Sequence, residues 1–351
     1  MGSMLTRMAP LTTTGVGSLP FTRPAQAVSH AATAYELPFC PQLPRAYGDM
    51  LQEWLGADPG RCGWAPDRDR QLPVAWDDFI LHLRRHPPSA GLVKLQVTGP
   101  LTLAVALERR SPHGRRDMPD LAREISGWLA AAVSDQVRAL HDLGVGALVV
   151  VDEPGLMAAQ RQGARTAAWD ALRAVAPAWG LHVCGEVPWQ LLDEAEPHVI
   201  SYDLVRYGCG RAAQAVIRRL MRRGGRVMWG VADALSPESP SLIVDRVCAA
   251  ARAVAGRRWR TADVLDASLL SGTCGTGGVD VSAERRLARD LRVSASLLRG
   301  DPLPGVEWEV AMSTAVEAVR EQTTAPARVL TSQAGASIRS TAKREIPGGK
   351  G

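Results

Sequence analysis

GALVVVDEP, residues 146–154, is a valine-rich run that ends in two carboxylates and a proline. A strand that is apolar at almost every position is buried on both faces, as in parallel sheets covered by helices. The same pattern recurs at LVKLQVTG (92–99), LHVCG (181–185), HVISYD (198–203), RVMWGVAD (226–233) and VLDASLLSGTCG (264–275). Amphipathic stretches, among them 121–144 and 241–256, lie between these runs and predict crossover helices. TTTGVGSLP (12–20) supplies an earlier strand and ELPFCPQLP (36–44) a weaker one. The total of about eight predicts an α/β chain folded as a (β/α)8 TIM barrel, with an open doubly wound sheet as the runner-up. Residues 21–90, rich in proline, arginine and tryptophan, read as a long insertion after the first strand.

Composition agrees with one large globular domain: 351 residues, 46% hydrophobic and 22% charged. There is no apolar run of about 18 residues, so no membrane span is expected. The N-terminus lacks the apolar core of a secretory signal, and the six cysteines are scattered, so a reducing cytoplasm is the expected setting. The formal charge of +5 invites a nucleic-acid reading. Its placement argues against one, because Arg328, Arg339, Lys343, Arg344 and Lys350 face only Glu345 in the last 27 residues. The expected organisation is therefore a flexible N-terminus (1–11), a barrel (12–322) and a disordered basic tail (323–351).

The polar residues gather at one end of the strand-like runs: Asp152 and Glu153, His182 and Cys184, Asp203, Asp233 and Cys274. In a barrel that end is the C-terminal rim, where active sites of this fold are built. An aspartate at a strand end also serves as a helix cap, the simpler reading for Asp233 taken alone. His182 and Cys184, two apart on a strand, project to one face, either into the barrel or onto its helices. If inward, they join Cys274 and Asp203 in a set of one imidazole, two thiolates and one carboxylate, all of which zinc accepts. A buried cysteine is otherwise a small hydrophobe, the reading given to Cys40, Cys62, Cys209 and Cys248. A zinc ion so rich in anionic ligands suits alkyl transfer to a bound thiol, with metal-dependent hydrolysis as the competing class.

GVGSLP (15–20), VTGPLTL (97–103), VVDEPGL (150–156), HVC (182–184), VISYD (199–203), GVADALSP (230–237) and CG (274–275) follow one another along the chain. In that order they resemble the catalytic barrel of cobalamin-independent methionine synthase, over about residues 12–300, and in particular its shorter, single-barrel relatives. The resemblance implies that His182, Cys184 and Cys274 are zinc ligands, with Asp203 standing where the family has a glutamate. It also implies that Asp152, with its neighbour Glu153, and Ser18 lie against the homocysteine substrate, and that Asp233 belongs to the catalytic rim. Three positions depart from the family. Leu235 replaces a histidine, no tryptophan follows the GP-x-T motif, and Pro44 stands where a glutamate falls, although Asp49 and Met50 are kept. The thiol half of the site is thus kept and the donor half changed. The expected function is zinc-dependent methyl transfer to homocysteine from a methyl-corrinoid protein rather than methyltetrahydrofolate. The alternatives are transfer to another thiol, as in coenzyme M transferases, or a non-catalytic zinc- or thiol-binding homologue.

Overall fold

A computed structural model describes residues 4–55, 72–110 and 117–301. Seven parallel strands form one sheet: β1 (Thr12–Thr13), β2 (Leu92–Thr98), β3 (Gly146–Asp152), β4 (Ala178–Val183), β5 (Val199–Asp203), β6 (Arg226–Ala232) and β7 (Ser268–Gly272). Their spatial order is β1-β7-β6-β5-β4-β3-β2, so each strand after the first joins its sequence neighbour and β7 returns to β1. Between β1 and β2 runs the irregular segment 37–42. On one side Leu37 N donates to Thr13 O (2.9 Å) and Gln42 N to Gly17 O (3.1 Å); on the other, Cys40 N donates to Lys94 O (3.2 Å) and Lys94 N to Pro38 O (2.8 Å). Those bonds fill the eighth place and close the ring. Pro38 and Pro41 offer no N–H, which is why this segment bridges rather than forms a regular ladder. The chain is an α/β barrel.

The stretch 21–90, expected as an insertion, holds the helix Pro24–Thr33, this bridging segment and the helices Pro44–Tyr47, Met50–Leu55 and Trp76–Arg85. Three strands differ from expectation, the first being β1, which keeps only Thr12–Thr13 of the stretch 12–20. β4 starts three residues early, directly after Pro177, a position where proline is tolerated. Of 264–275 only Ser268–Gly272 is strand, since Thr261–Asp266 is a helix.

Alternation along the strands sorts the side chains. Val93, Leu95 and Val97 of β2, and Trp179, Leu181 and Val183 of β4, join the large core beneath the helices. Leu92, Leu148, Val150, Ala178, Val199, Met228 and Leu269 point the other way and form a separate apolar floor inside the barrel. Leu5 and Met8, in the stretch expected as a flexible N-terminus (1–11), are buried in that floor. Burying each such side chain contributes roughly 1.5–3 kcal/mol toward ordering the segment. The helices Met118–Asp142 and Pro240–Ala255 match the amphipathic stretches, and Cys248 is buried as expected on the latter. Cys40 is also buried and Cys209 partly so. Cys62, the end of the expected barrel (302–322) and the tail 323–351 lie outside the described residues.

Candidate active site

The floor residue Ala178 fixes the face of β4. His182 and Cys184, at even spacing from it, point into the barrel, so the inward alternative is the one observed. His182 is almost fully buried, with Nδ1 2.8 Å from Ser201 Oγ on β5. Burial, reinforced by the Lys94 charge, lowers the imidazole to about 3, so it is neutral. Its Nε2 has no hydrogen-bond partner, and neither has Oδ1 of Asp152, 3.7 Å away on β3. Two buried polar atoms facing each other without partners mark a place made for a third group.

Cys184 and Cys274 lie within hydrogen-bond reach of each other, which raises the Cys184 thiol and lowers that of Cys274, the sulfur that more readily ionises. The Cys274 loop is held by Ser18. Thr276 N donates to Ser18 O (2.9 Å) and Gly277 N to Ser18 Oγ (3.3 Å). A side chain at Gly275 would collide with Ser18 Oγ, so glycine is required for this approach. Ser18, expected against the substrate, accepts from this loop with both oxygens and so also places Cys274.

Three carboxylates are committed elsewhere. Asp203 caps the helix Leu204–Tyr207 by accepting from Arg206 N at 2.8 Å; its charge still reaches His182 and Cys274. Burial raises its pKa above the ordinary carboxylate value, while the Arg206 and Val205 amides oppose the shift. Asp233 accepts from Leu235 N (2.9 Å) in a local turn, and the helix that follows, Pro240–Ala255, is capped by Ser239, so Asp233 is not its cap. Glu153 is wholly buried and accepts from Leu101 N (3.2 Å), Thr102 N (2.7 Å), Thr102 Oγ (2.6 Å) and Trp169 Nε1 (2.9 Å). It pins the N-terminus of the helix Pro100–Arg110 and presents no free oxygen to a substrate, which corrects its expected contact. Burial lifts it to about 7 against these donors.

Asp152 is the carboxylate that remains for a ligand. Its Oδ2 accepts a hydrogen bond from Gln96 Nε2, and Gln96 Oε1 accepts in turn from Lys94 Nζ at 2.5 Å. Burial pushes Lys94 down and Asp152 up, and each charge counters the other's shift. The sequence reading missed Lys94, Gln96 and Ser201. The available signal was Lys94-x-Gln96 inside an apolar strand, two polar residues on one face.

The barrel therefore carries an imidazole, two thiols and a free carboxylate oxygen at the C-terminal end of its strands. Its fold is similar to that of a B12-independent methionine synthase from Shewanella sp. W3-18-1, solved in complex with selenomethionine. The match has a TM-score of 0.61 at 16% identity and covers 83% of this chain and 98% of that one. Identity at that level shows a shared fold. KGPDC from Streptococcus mutans aligns at a TM-score of 0.34 and 11% identity, over 83% of this chain and 99% of that one, too low to carry an argument. No protein-family model and no curated protein matches the sequence. Among the described residues no helix is long and apolar enough to cross a membrane.

Among the described residues, no group of three or more His, Cys, Asp or Glu side chains stands in metal-binding geometry. The donor chemistry nevertheless fits zinc. His182 is neutral with a free Nε2, and the sulfur of Cys184 is paired with that of the exposed Cys274.

Proposed function

We propose that this barrel is a zinc-dependent methyltransferase that methylates a thiol, homocysteine, to give methionine. The observation that carries the reading is the unpartnered, buried Nε2 of His182 beside the Cys184–Cys274 pair. His182, Cys184 and Cys274 would hold the ion, drawn together by rotation of their side chains, with Asp203 a further carboxylate whose charge reaches His182 and Cys274. Bound zinc supplies Lewis acidity that keeps a substrate sulfur as thiolate at neutral pH. Ser201, by accepting from His182 Nδ1–H, leaves the Nε2 lone pair facing the ion. Asp152 Oδ1 receives the substrate ammonium. The substrate sulfur then attacks the donor's methyl carbon in line; the S–C bond forms as the bond to the leaving group breaks.

The donor in this reading is a methyl-corrinoid protein. Leu101, Leu103 and Ala104, which follow the GP motif, are buried in the core and offer no aromatic platform for a folate ring. Leu235, 77% exposed, presents an apolar rim where the family has a histidine. A non-catalytic zinc- or thiol-binding barrel is the second reading, favoured by the use of Asp203 as a helix cap.

Zinc quantification on purified protein, paired with a methionine-formation assay, tests the proposal. The assay is run with methyltetrahydrofolate, methylcobalamin and a methyl-corrinoid protein as separate donors. One zinc per chain that is lost in Cys184→Ser and Cys274→Ser is expected, with methionine formed from the corrinoid protein. Absence of stoichiometric zinc from the unaltered and substituted proteins alike refutes the metal site. Zinc and homocysteine binding without methionine from any donor leaves the second reading.

A further inference from the structure

Below the mouth the barrel encloses a charged residue that the proposed chemistry does not use. Lys94 of β2 is entirely shielded from solvent. Its Nζ donates to Val16 O at 2.7 Å and to Gln96 Oε1 at 2.5 Å, and it sits 5.1 Å from the centre of the Phe39 ring. Gln96, also buried, donates from Nε2 to Asp152 Oδ2. A glutamine amide has two faces of opposite polarity that can exchange by a flip. Here only one orientation works. An ammonium can only donate and a carboxylate can only accept, so the amide oxygen must face Lys94 and the amide nitrogen Asp152. The flipped amide would set donor against donor and acceptor against acceptor. The glutamine thus holds one carboxylate oxygen, Oδ2, and leaves the other, Oδ1, without a partner.

We propose that Lys94 and Gln96 are positioning residues that aim Asp152 Oδ1 at the ammonium group of an amino-acid thiol. In this way they set the barrel's selectivity for thiols that carry an α-amino group. The inference rests on the thiol reading above and deepens it. Neither residue touches the substrate; they act through the carboxylate. Without the chain Lys94–Gln96–Asp152, the carboxylate is free to rotate about its last torsion and to turn either oxygen toward the mouth.

The test is calorimetric binding of homocysteine and of 4-mercaptobutyrate, its analogue without the amino group, to zinc-loaded protein. Gln96→Met keeps the volume and removes both hydrogen bonds; Lys94→Met removes the charge. The unaltered protein is expected to bind homocysteine more tightly than 4-mercaptobutyrate. Each variant should lose about tenfold in homocysteine affinity, as for a charge-assisted bond, while 4-mercaptobutyrate changes by less than about twofold. If Lys94→Met does not fold, Gln96→Met alone decides. A homocysteine preference kept in the variants overturns the positioning role and leaves the thiol reading intact. Equal loss of both ligands also overturns it, since that is the mark of general damage. An unaltered protein that binds neither thiol takes the thiol reading down as well.

Discussion

Replacing Glu153 by glutamine separates a structural role from a substrate-binding one. The change preserves volume but converts one carboxylate oxygen into an NH2 group. At Oε1 it would face Leu101 N–H and Trp169 Nε1–H; at Oε2 it would face Thr102 N–H and the Thr102 hydroxyl. The hydroxyl can turn to accept, but it already accepts from Gly155 N at 3.1 Å. Either orientation thus strips at least one buried N–H of its acceptor, and the Oε1 orientation strips two. A buried donor left unsatisfied costs about 1–3 kcal/mol, and the amide settles in the orientation that strips one, so Glu153→Gln should destabilise the fold by about 1–3 kcal/mol. Urea unfolding followed by tryptophan fluorescence at pH 8 measures this directly, because buried Trp169 is itself one of the partners. Homocysteine affinity of the folded, zinc-loaded variant should stay within about twofold of the unaltered protein. A stability loss below about 1 kcal/mol together with weakened thiol binding would refute the reasoning and return Glu153 to the substrate.

Ser201→Ala removes the partner of His182 Nδ1. It should weaken zinc binding about 10- to 100-fold in competition with a chromophoric chelator, with little change in fold stability. Glu53, partly buried and bonded to Gln42 Nε2 at 2.6 Å, is raised to about 7 by desolvation of its carboxyl. Its stabilising contribution is therefore full below its unfolded value near 4.5 and is lost as pH rises through about 7. Glu53→Gln should accordingly gain stability relative to the unaltered protein between pH 4 and pH 8 in parallel urea titrations, and a constant difference across that range would contradict it.

Much of the barrel is legible in the sequence because its strands are buried on both faces. GALVVVD and VISYD need no alternation to be recognised, and β3 and β5 fall at or within one residue of the expected ends. Legibility fails where one residue type serves two ends. Pro177 and Gly180 look like turn residues, yet β4 runs through 178–183. The register Gly180↔Val199 leaves no room for a side chain there, since one would meet the Val199 backbone. The rim was identifiable, but the work done by each rim carboxylate was not. An aspartate at a strand end bonds a following amide as readily as it faces a ligand, and only the positions of Arg206 N and Leu235 N decide the matter. Glu153 and Ser18 are bonded to groups about 52 and 259 residues away in sequence, partners that no local pattern displays. For the same reason Lys94 reads as an oddity in β2 until Asp152 and Val16 are brought around it.

The bridging segment 37–42 is also the seam of the ring. Seven strands meet along ladders, whereas here closure depends on a few separate amide bonds flanked by two prolines. Opening of the cylinder should begin at this joint, and the exchange rates of the Cys40 and Lys94 amides would report it. Lys94 lies on that joint with its backbone and reaches toward the mouth with its side chain. Breathing of the wall and alignment of Asp152 are thus mechanically tied, so a substitution far from the thiols, at Pro38 or Pro41, can loosen the grip on a substrate without touching it.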